Sequence, residues 1–252
     1  MIPKIIHYCW FGGGKLPDQE QAYIEGWKKK CPDFEIMEWN ETNYDIHKCR
    51  YMEEAASVGK WSFVSDYARL DVLYQYGGIY LDTDVEVLKN LAPLCIHEGF
   101  IGFESRERVN DGQGFGAEKG NALIKEMLGE YDQLSFFCGD GSYNQIESPQ
   151  YRTKVLKAHG LIMNEKEQEI EGFHIYPTDY FCPKNFTTGK IKVTDYTYCI
   201  HHFKGSWHTV KERKIIALTQ KICRVLGEKN GNAFCKWMFE FKDDVKKNFF
   251  HK

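Results

Sequence analysis

Gly77-Gly78-Ile79-Tyr80-Leu81-Asp82-Thr83-Asp84-Val85 reads as a turn, a short buried strand and two acids at the strand's end. Upstream, Trp61 to Tyr76 carries Val64, Tyr67, Ala68, Leu70 and Leu73 at helical spacing, and Gly77-Gly78 ends that helix. A helix feeding a buried strand through a glycine turn is half of a β-α-β unit. The other half lies earlier: Ile2 to Phe11 is an apolar strand running into Gly12-Gly13-Gly14, Gln19 to Lys29 is helical, and Phe34 to Trp39 is a second strand. Strands alternating with helices predict a largely parallel sheet covered on both faces.

Beyond Asp84 the signals shorten. Phe100 to Phe103 and Gly114 to Ala117 read as brief strands, Asn121 to Tyr131 as a helix, and this middle region as α+β decoration. Cys199 to Phe203 reads as a late strand. Val210 to Leu226 and Ala233 to Phe250 read as two amphipathic helices. With no internal repeat and no linker, residues 1–252 are expected to form a single domain in which 209–252 is a C-terminal helical extension.

The 252 residues are 42% hydrophobic, 15% aromatic and 27% charged, the balance of a globular chain able to build a large core. No window approaches a membrane span and no signal peptide precedes the first strand, so the expected location is cytoplasmic. Nine cysteines without paired spacing suggest neither a disulfide framework nor a zinc site. The formal net charge of −3 hides an excess of basic residues after Lys204. Lys211, Arg213, Lys214, Lys221, Lys242, Lys246 and Lys247 are the residues that would give peripheral contact with an anionic membrane, or simply a solvated helix face. Nothing in the charge pattern calls for nucleic acid.

In an extended chain residues i and i+2 point the same way, so Asp82 and Asp84 can present two carboxylates to one point. That suits Mn²⁺ or Mg²⁺, which take oxygen ligands and share them with substrate phosphates. An open α/β sheet binds its ligand beyond the carboxyl ends of its strands, where this pair falls. A bare Asp-x-Asp is common in loops, and context adds the weight. Sixteen residues before Asp82 stand Ser65-Asp66-Tyr67-Ala68-Arg69, with Asp66 and Arg69 on one helix face. That pair can also be read as an ordinary intrahelical ion pair.

Together these segments resemble the DXD-containing sugar transferases of glycosyltransferase family 32, and more distantly the glucosyltransferase domain of the large clostridial toxins. The resemblance is dense over roughly the first ninety residues. It implies a GT-A type α/β fold: a nucleotide-binding mixed sheet flanked by helices. It also implies transfer of a hexosyl residue from a nucleoside diphosphate sugar to a glycan or lipid-linked saccharide, with retention of configuration, in cell-surface polysaccharide synthesis. Ile6 to Gly13 resembles the family's first strand, which puts Trp10 against the nucleotide base and Gly12 beside the donor. Tyr80 and Asp82 would lie near the nucleotide, Asp84 would ligate the metal, and Asp66 and Arg69 would contact the donor sugar. Asn43 matches a donor-contacting asparagine. His202-Phe203-Lys204-Gly205 resembles a C-terminal segment that supplies a histidine to the metal, with His202 preferred over His201 by the frame. Ser206 and Trp207 match donors of hydrogen bonds to the leaving diphosphate. Two rival readings of the acids stand beside this: a hydrolase using Asp82 and Asp84 as a glycosidase pair, and a non-catalytic carbohydrate-binding protein on the same fold.

Overall fold

The structure is a computed structural model that describes residues 1–205 and 210–249. Helix α3 (Trp61–Tyr76) and strand β3 (Gly78–Tyr80) fall where the sequence puts them, as do β1 (Ile5–Cys9), α1 (Asp18–Lys30) and β2 (Glu35–Trp39). Both β2 and β3 pair with β1 in parallel, Ile5 opposite Glu35 and Ile6 opposite Ile79, which completes the expected parallel half. The turn between α3 and β3 depends on glycine. Gly77 and Gly78 have φ of 67° and 114°, and a Cβ on Gly78 would come within 2.7 Å of the Ile5 carbonyl on the neighbouring strand.

The sequence did not reveal α2 (Arg50–Ser57), β4 (Val85–Val87), β6 (Arg108–Asn110), α5 (Ser148–Ala158), β8 (Gln168–Ile170), β9 (Phe173–Tyr176) or the short α6 (Thr178–Phe181). The middle region is also more than decoration. β5 (Gly99–Ser105), β7 (Phe115–Ala117), β9 and β8 extend the sheet in the order β2-β1-β3-β7-β5-β9-β8, with β6 hairpinned onto β5. β7 runs antiparallel to both β3 and β5, which makes the sheet mixed. Between β7 and α5 lies α4 (Ala122–Gly129), whose Asn121 side chain caps the backbone N–H groups of Leu123 and Ile124.

The side-chain period of two divides the core. Ile6, Tyr8, Ile79, Leu81 and Phe100 pack on one face with Ile24 and Trp27 of α1. Cys9, Tyr80, Ile101 and Phe103 pack on the other with α2, α3 and α4. The expected mixed sheet flanked by helices is the observed architecture. A separate two-stranded ladder pairs β4 with β10 (Cys199–His201), Val85 opposite His201. The chain divides into two compact units, Met1–Pro183 with Val193–His202, and Lys184–Lys192 with Phe203–Lys252. The second contains α7 (Val210–Phe249), in which Gly227, at φ 77° and ψ 167°, breaks the helical backbone. Within that unit Arg224 Nε donates to the Thr188 carbonyl at 3.1 Å and Phe186 meets Phe203 edge-on.

Candidate active site

Asp82 and Asp84 follow β3 directly, and the first of them is held from several sides. Its backbone N–H donates to the Gly112 carbonyl at 2.8 Å. Its Oδ1 accepts from Tyr80 Oη and from Arg69 Nη2, both at 3.1 Å. Gly112 is required here, because a Cβ at that position would overlap the Asp82 carboxylate. The Tyr80 ring lies beneath the Arg69 guanidinium, 4.9 Å from Cζ to the centroid.

Arg69 is the hub. It is 4% exposed, and its Nη2 also pairs with Asp66 Oδ1 at 3.1 Å while Nη1 pairs with Asp111 Oδ1 at 3.0 Å. The intrahelical pair read from the sequence is real, but it is one edge of a cluster of buried charges rather than a solvated surface pair. Burial pushes the Asp66 carboxyl up to about 7; Arg69 opposes this, and the neighbouring Asp111 and Asp82 add to it. Burial works against the charge on Asp111 too, but Arg69 and Arg152 outweigh it and hold that carboxyl below its ordinary range. Arg152 and Tyr131 are the site residues that sequence reasoning did not assign to the site; Ser148 stands in a segment that the family resemblance puts by the sugar and acceptor pocket, and Asp111 is one of the loop acids that an inverting enzyme could use as base. Arg152 Nε meets Asp111 Oδ2 at 2.8 Å, its Nη2 meets Tyr131 Oη at 2.9 Å, and Ser148 Oγ donates to Asp111 Oδ1 at 2.7 Å.

Asp82, Asp84 and His201 each bring one ligand atom into a group in which all lie within 4.8 Å of one another. Two carboxylate oxygens and an imidazole nitrogen fit a divalent cation with open positions for phosphate oxygens and water. His201 Nε2 lies 3.3 Å from Asp84 Oδ1. Burial disfavours an imidazolium at His201, but the Asp84 carboxylate outweighs it and the pKa is raised. The histidine brought to the aspartates is therefore His201, where the family frame prefers His202. The reason is strand alternation. His201 lies opposite Val85 on β10, and the next side chain turns away. His202 stacks on Tyr23 with centroids 5.0 Å apart, and its Nε2 sits 2.9 Å from Glu86 Oε2.

The other expected donor-side residues lie in the loops after β1 and β2. Trp10 is half-buried and its indole N–H donates to the Gly14 carbonyl at 2.6 Å. Gly12, at φ 97°, lies against Trp61, whose Nε1 would be 2.5 Å from a Cβ there, and its N–H donates to Glu41 Oε1. Asn43 spends its side chain on its own loop: Oδ1 accepts from Asn40 N–H at 2.9 Å and Nδ2 donates to the Glu38 carbonyl at 2.8 Å. Ser206 and Trp207 lie outside the described residues. Phe136, Phe137, Tyr143 and Tyr151 could by type stack on a sugar, but Phe136 and Tyr151 are buried in the core, whereas Phe137 and Tyr143 are exposed on a small hairpin.

Residues 17–101 match the family model described as a glycosyltransferase sugar-binding region containing a DXD motif. The chain is 28% identical over 147 residues to an inositol phosphoceramide mannosyltransferase of Schizosaccharomyces pombe, covering 54% of this chain and 38% of that protein. It is 33% identical over 125 residues to lactosylceramide 4-alpha-galactosyltransferase of Mus musculus, covering 48% of this chain and 32% of that one. It thus spans well under half the length of these relatives. Among solved structures, the PaToxG glycosyltransferase is 22% identical with a TM-score of 0.49, covering 62% of this chain and 68% of that one. An active-site mutant of LgtC is 15% identical with a TM-score of 0.42, covering 84% and 95%. The matched segment contains Asp66, Arg69, Asp82 and Asp84, so residues 17–101 are similar to a glycosyltransferase sugar-binding region containing a DXD motif, and the acids and arginine of the site lie inside that match.

Proposed function

We propose that the protein is a cation-dependent, retaining glycosyltransferase that moves a hexosyl residue from a nucleoside diphosphate sugar to a hydroxyl of a glycan or lipid-linked saccharide. The reading rests above all on the meeting of Asp82, Asp84 and His201 at the end of β3, beside the Arg69 cluster. Bound there, Mn²⁺ or Mg²⁺ supplies Lewis-acid neutralisation of the charge that builds on the departing diphosphate. Asp66 and Arg69 orient the donor sugar, and Trp10 and Gly12 border the nucleotide. Ser206 and Trp207 add hydrogen bonds to the diphosphate. The relatives are named as an inositol phosphoceramide mannosyltransferase and a lactosylceramide galactosyltransferase, which favours a lipid-linked saccharide as the acceptor class here. A place in cell-surface polysaccharide synthesis, on the cytoplasmic side of the membrane, follows as part of the same proposal.

Retention is supported by what the acids are already doing. An inverting enzyme needs a base poised at the acceptor hydroxyl. Asp111 is fully buried between two arginines, and Asp140 caps its own turn through the Ser142 N–H and hydroxyl. In a front-side route the departing phosphate oxygen accepts the acceptor proton, and no protein base is required.

Purified protein is tested against UDP-glucose, UDP-galactose and GDP-mannose with Mn²⁺, with Mg²⁺ and with EDTA. At least one donor is expected to raise the melting temperature and to release nucleoside diphosphate only when cation is present. If no donor does either with either cation, the proposal fails. Proton NMR of the first-formed product from an α-linked donor then reads the stereochemistry: an α-glycoside supports retention and a β-glycoside overturns it.

A further inference from the structure

We propose that Asp111, clamped by Arg152, is a positioning residue that holds the Arg69 guanidinium back from the cation site and so leaves Asp82 available to the ion. The proposal rests on the cation reading above and adds to it two residues that no resemblance assigns.

A guanidinium 3.1 Å from Asp82 competes with any cation for that carboxylate. What limits the competition is how the guanidinium is tied. Nη1 is turned to Asp111 Oδ1 at 3.0 Å and Ser148 Oγ at 3.3 Å, and Nε to the Ser65 carbonyl at 3.3 Å. Only Nη2 faces Asp82, and it is shared with Asp66. Asp111 itself accepts three hydrogen bonds, from Arg69, Ser148 and Arg152, which fill most of its lone-pair sites and fix its plane. The same loop reaches Asp82 directly through the Gly112 carbonyl, so one short segment sets both the arginine and the aspartate it would otherwise capture.

Arg152 does not look like a residue kept for stability. It is 0% exposed, and its Nη1 has no hydrogen-bond partner among the described residues. A buried charge left incompletely satisfied costs stability, and an apolar side chain of the same shape would avoid that cost. What this arginine does provide is the Nε hydrogen bond that orients Asp111.

The test removes the clamp without leaving a lone charge. Asp111→Asn alone can fail to fold, because Arg69 and Arg152 would then face each other. Asp111→Asn with Arg152→Gln keeps the net charge, and Arg152→Lys keeps the charge but loses the fork. Mn²⁺ affinity of the full chain is measured by calorimetry on variants whose circular dichroism and cation-free melting temperature match wild type, a comparison that a purely structural role leaves unchanged. The double variant is expected to bind Mn²⁺ about tenfold more weakly, and Arg152→Lys to show a smaller loss. A folded double variant with wild-type Mn²⁺ affinity overturns the proposal; if that variant does not fold, wild-type affinity in Arg152→Lys overturns it. Should wild type itself bind no Mn²⁺, the cation reading fails by itself. The crystal structure of whichever variant folds then decides whether Asp111 and Arg152 position Arg69: a guanidinium left where it is refutes this, and one that closes onto Asp82 with both Nη atoms supports it.

Discussion

At the scale of single residues, the site turns on which carboxylates and which imidazole point the same way. Asp84→Ala is expected to abolish cation-dependent turnover with circular dichroism unchanged, because its carboxylate faces the site rather than the core. His201→Ala should weaken Mn²⁺ binding about tenfold or more, whereas His202→Ala, which loses the contacts with Glu86 and Tyr23, should change it little. Equal effects in a calorimetric titration would return the ligand role to His202. His7 makes a separate prediction. Trp39 Nε1 donates to His7 Nδ1 at 3.0 Å, so the other ring nitrogen carries the proton and donates to the Gly77 carbonyl at 2.8 Å. A second proton on the ring would meet the Trp39 N–H, and burial already lowers the pKa to about 4. Below pH 6.5 the unfolded chain takes up a proton that the native state refuses. His7 therefore removes about 3 kcal/mol of stability as pH falls from about 6.5 to about 4, and no more below that. Urea denaturation across this range should show a shallower pH dependence in His7→Gln. Asp82 and Asp84 were legible in the sequence because strand geometry and chemistry coincide within three residues. Asp111 and Arg152 were not, since their meaning comes from Arg69, 42 residues before the first, and nothing local marks them.

At the scale of elements, β1, α1, β2 and α3 were readable because each is long enough to show its period, and β3 because the Gly77-Gly78 turn announces it. Helix α3 has the bounds read from its apolar spacing, Trp61 to Tyr76. The second half was read only in part: β7 and β10 were placed, but β6 and β8, with three residues each, are too short for an alternation to stand out and are strands only by virtue of their neighbours. The turn that joins α3 to β3 carries the element-level prediction. Gly78→Ala places a methyl group against the Ile5 carbonyl and the His7 ring while keeping a positive φ, and should destabilise the protein by about 1–3 kcal/mol. A urea midpoint equal to that of wild type would mean that the strand shifts to accept the methyl group.

For the whole molecule, the open question is where it works. Among the described residues no helix is long and apolar enough to cross a membrane. Lys211, Arg213, Lys214 and Lys221 are exposed on α7, while the side chains of Lys242, Lys246 and Lys247 lie outside the described residues. If these basic residues hold the protein on an anionic surface, each one near the lipid contributes ~1 kcal/mol. The protein should then sediment with phosphatidylserine vesicles at low salt and be released at high salt; sedimentation that ignores salt, or none, argues against the surface. The β4–β10 ladder has a consequence for how the molecule is made. The third member of the cation group is 117 residues beyond Asp84 and arrives on a strand that returns after an excursion into the second unit. A nascent chain can complete its parallel β-α-β unit early, but it cannot assemble Asp82, Asp84 and His201 until residue 201 has been synthesised. On the cation reading proposed above, fragments released before that point would carry the DXD signature of the sugar-binding region without the imidazole that completes the group.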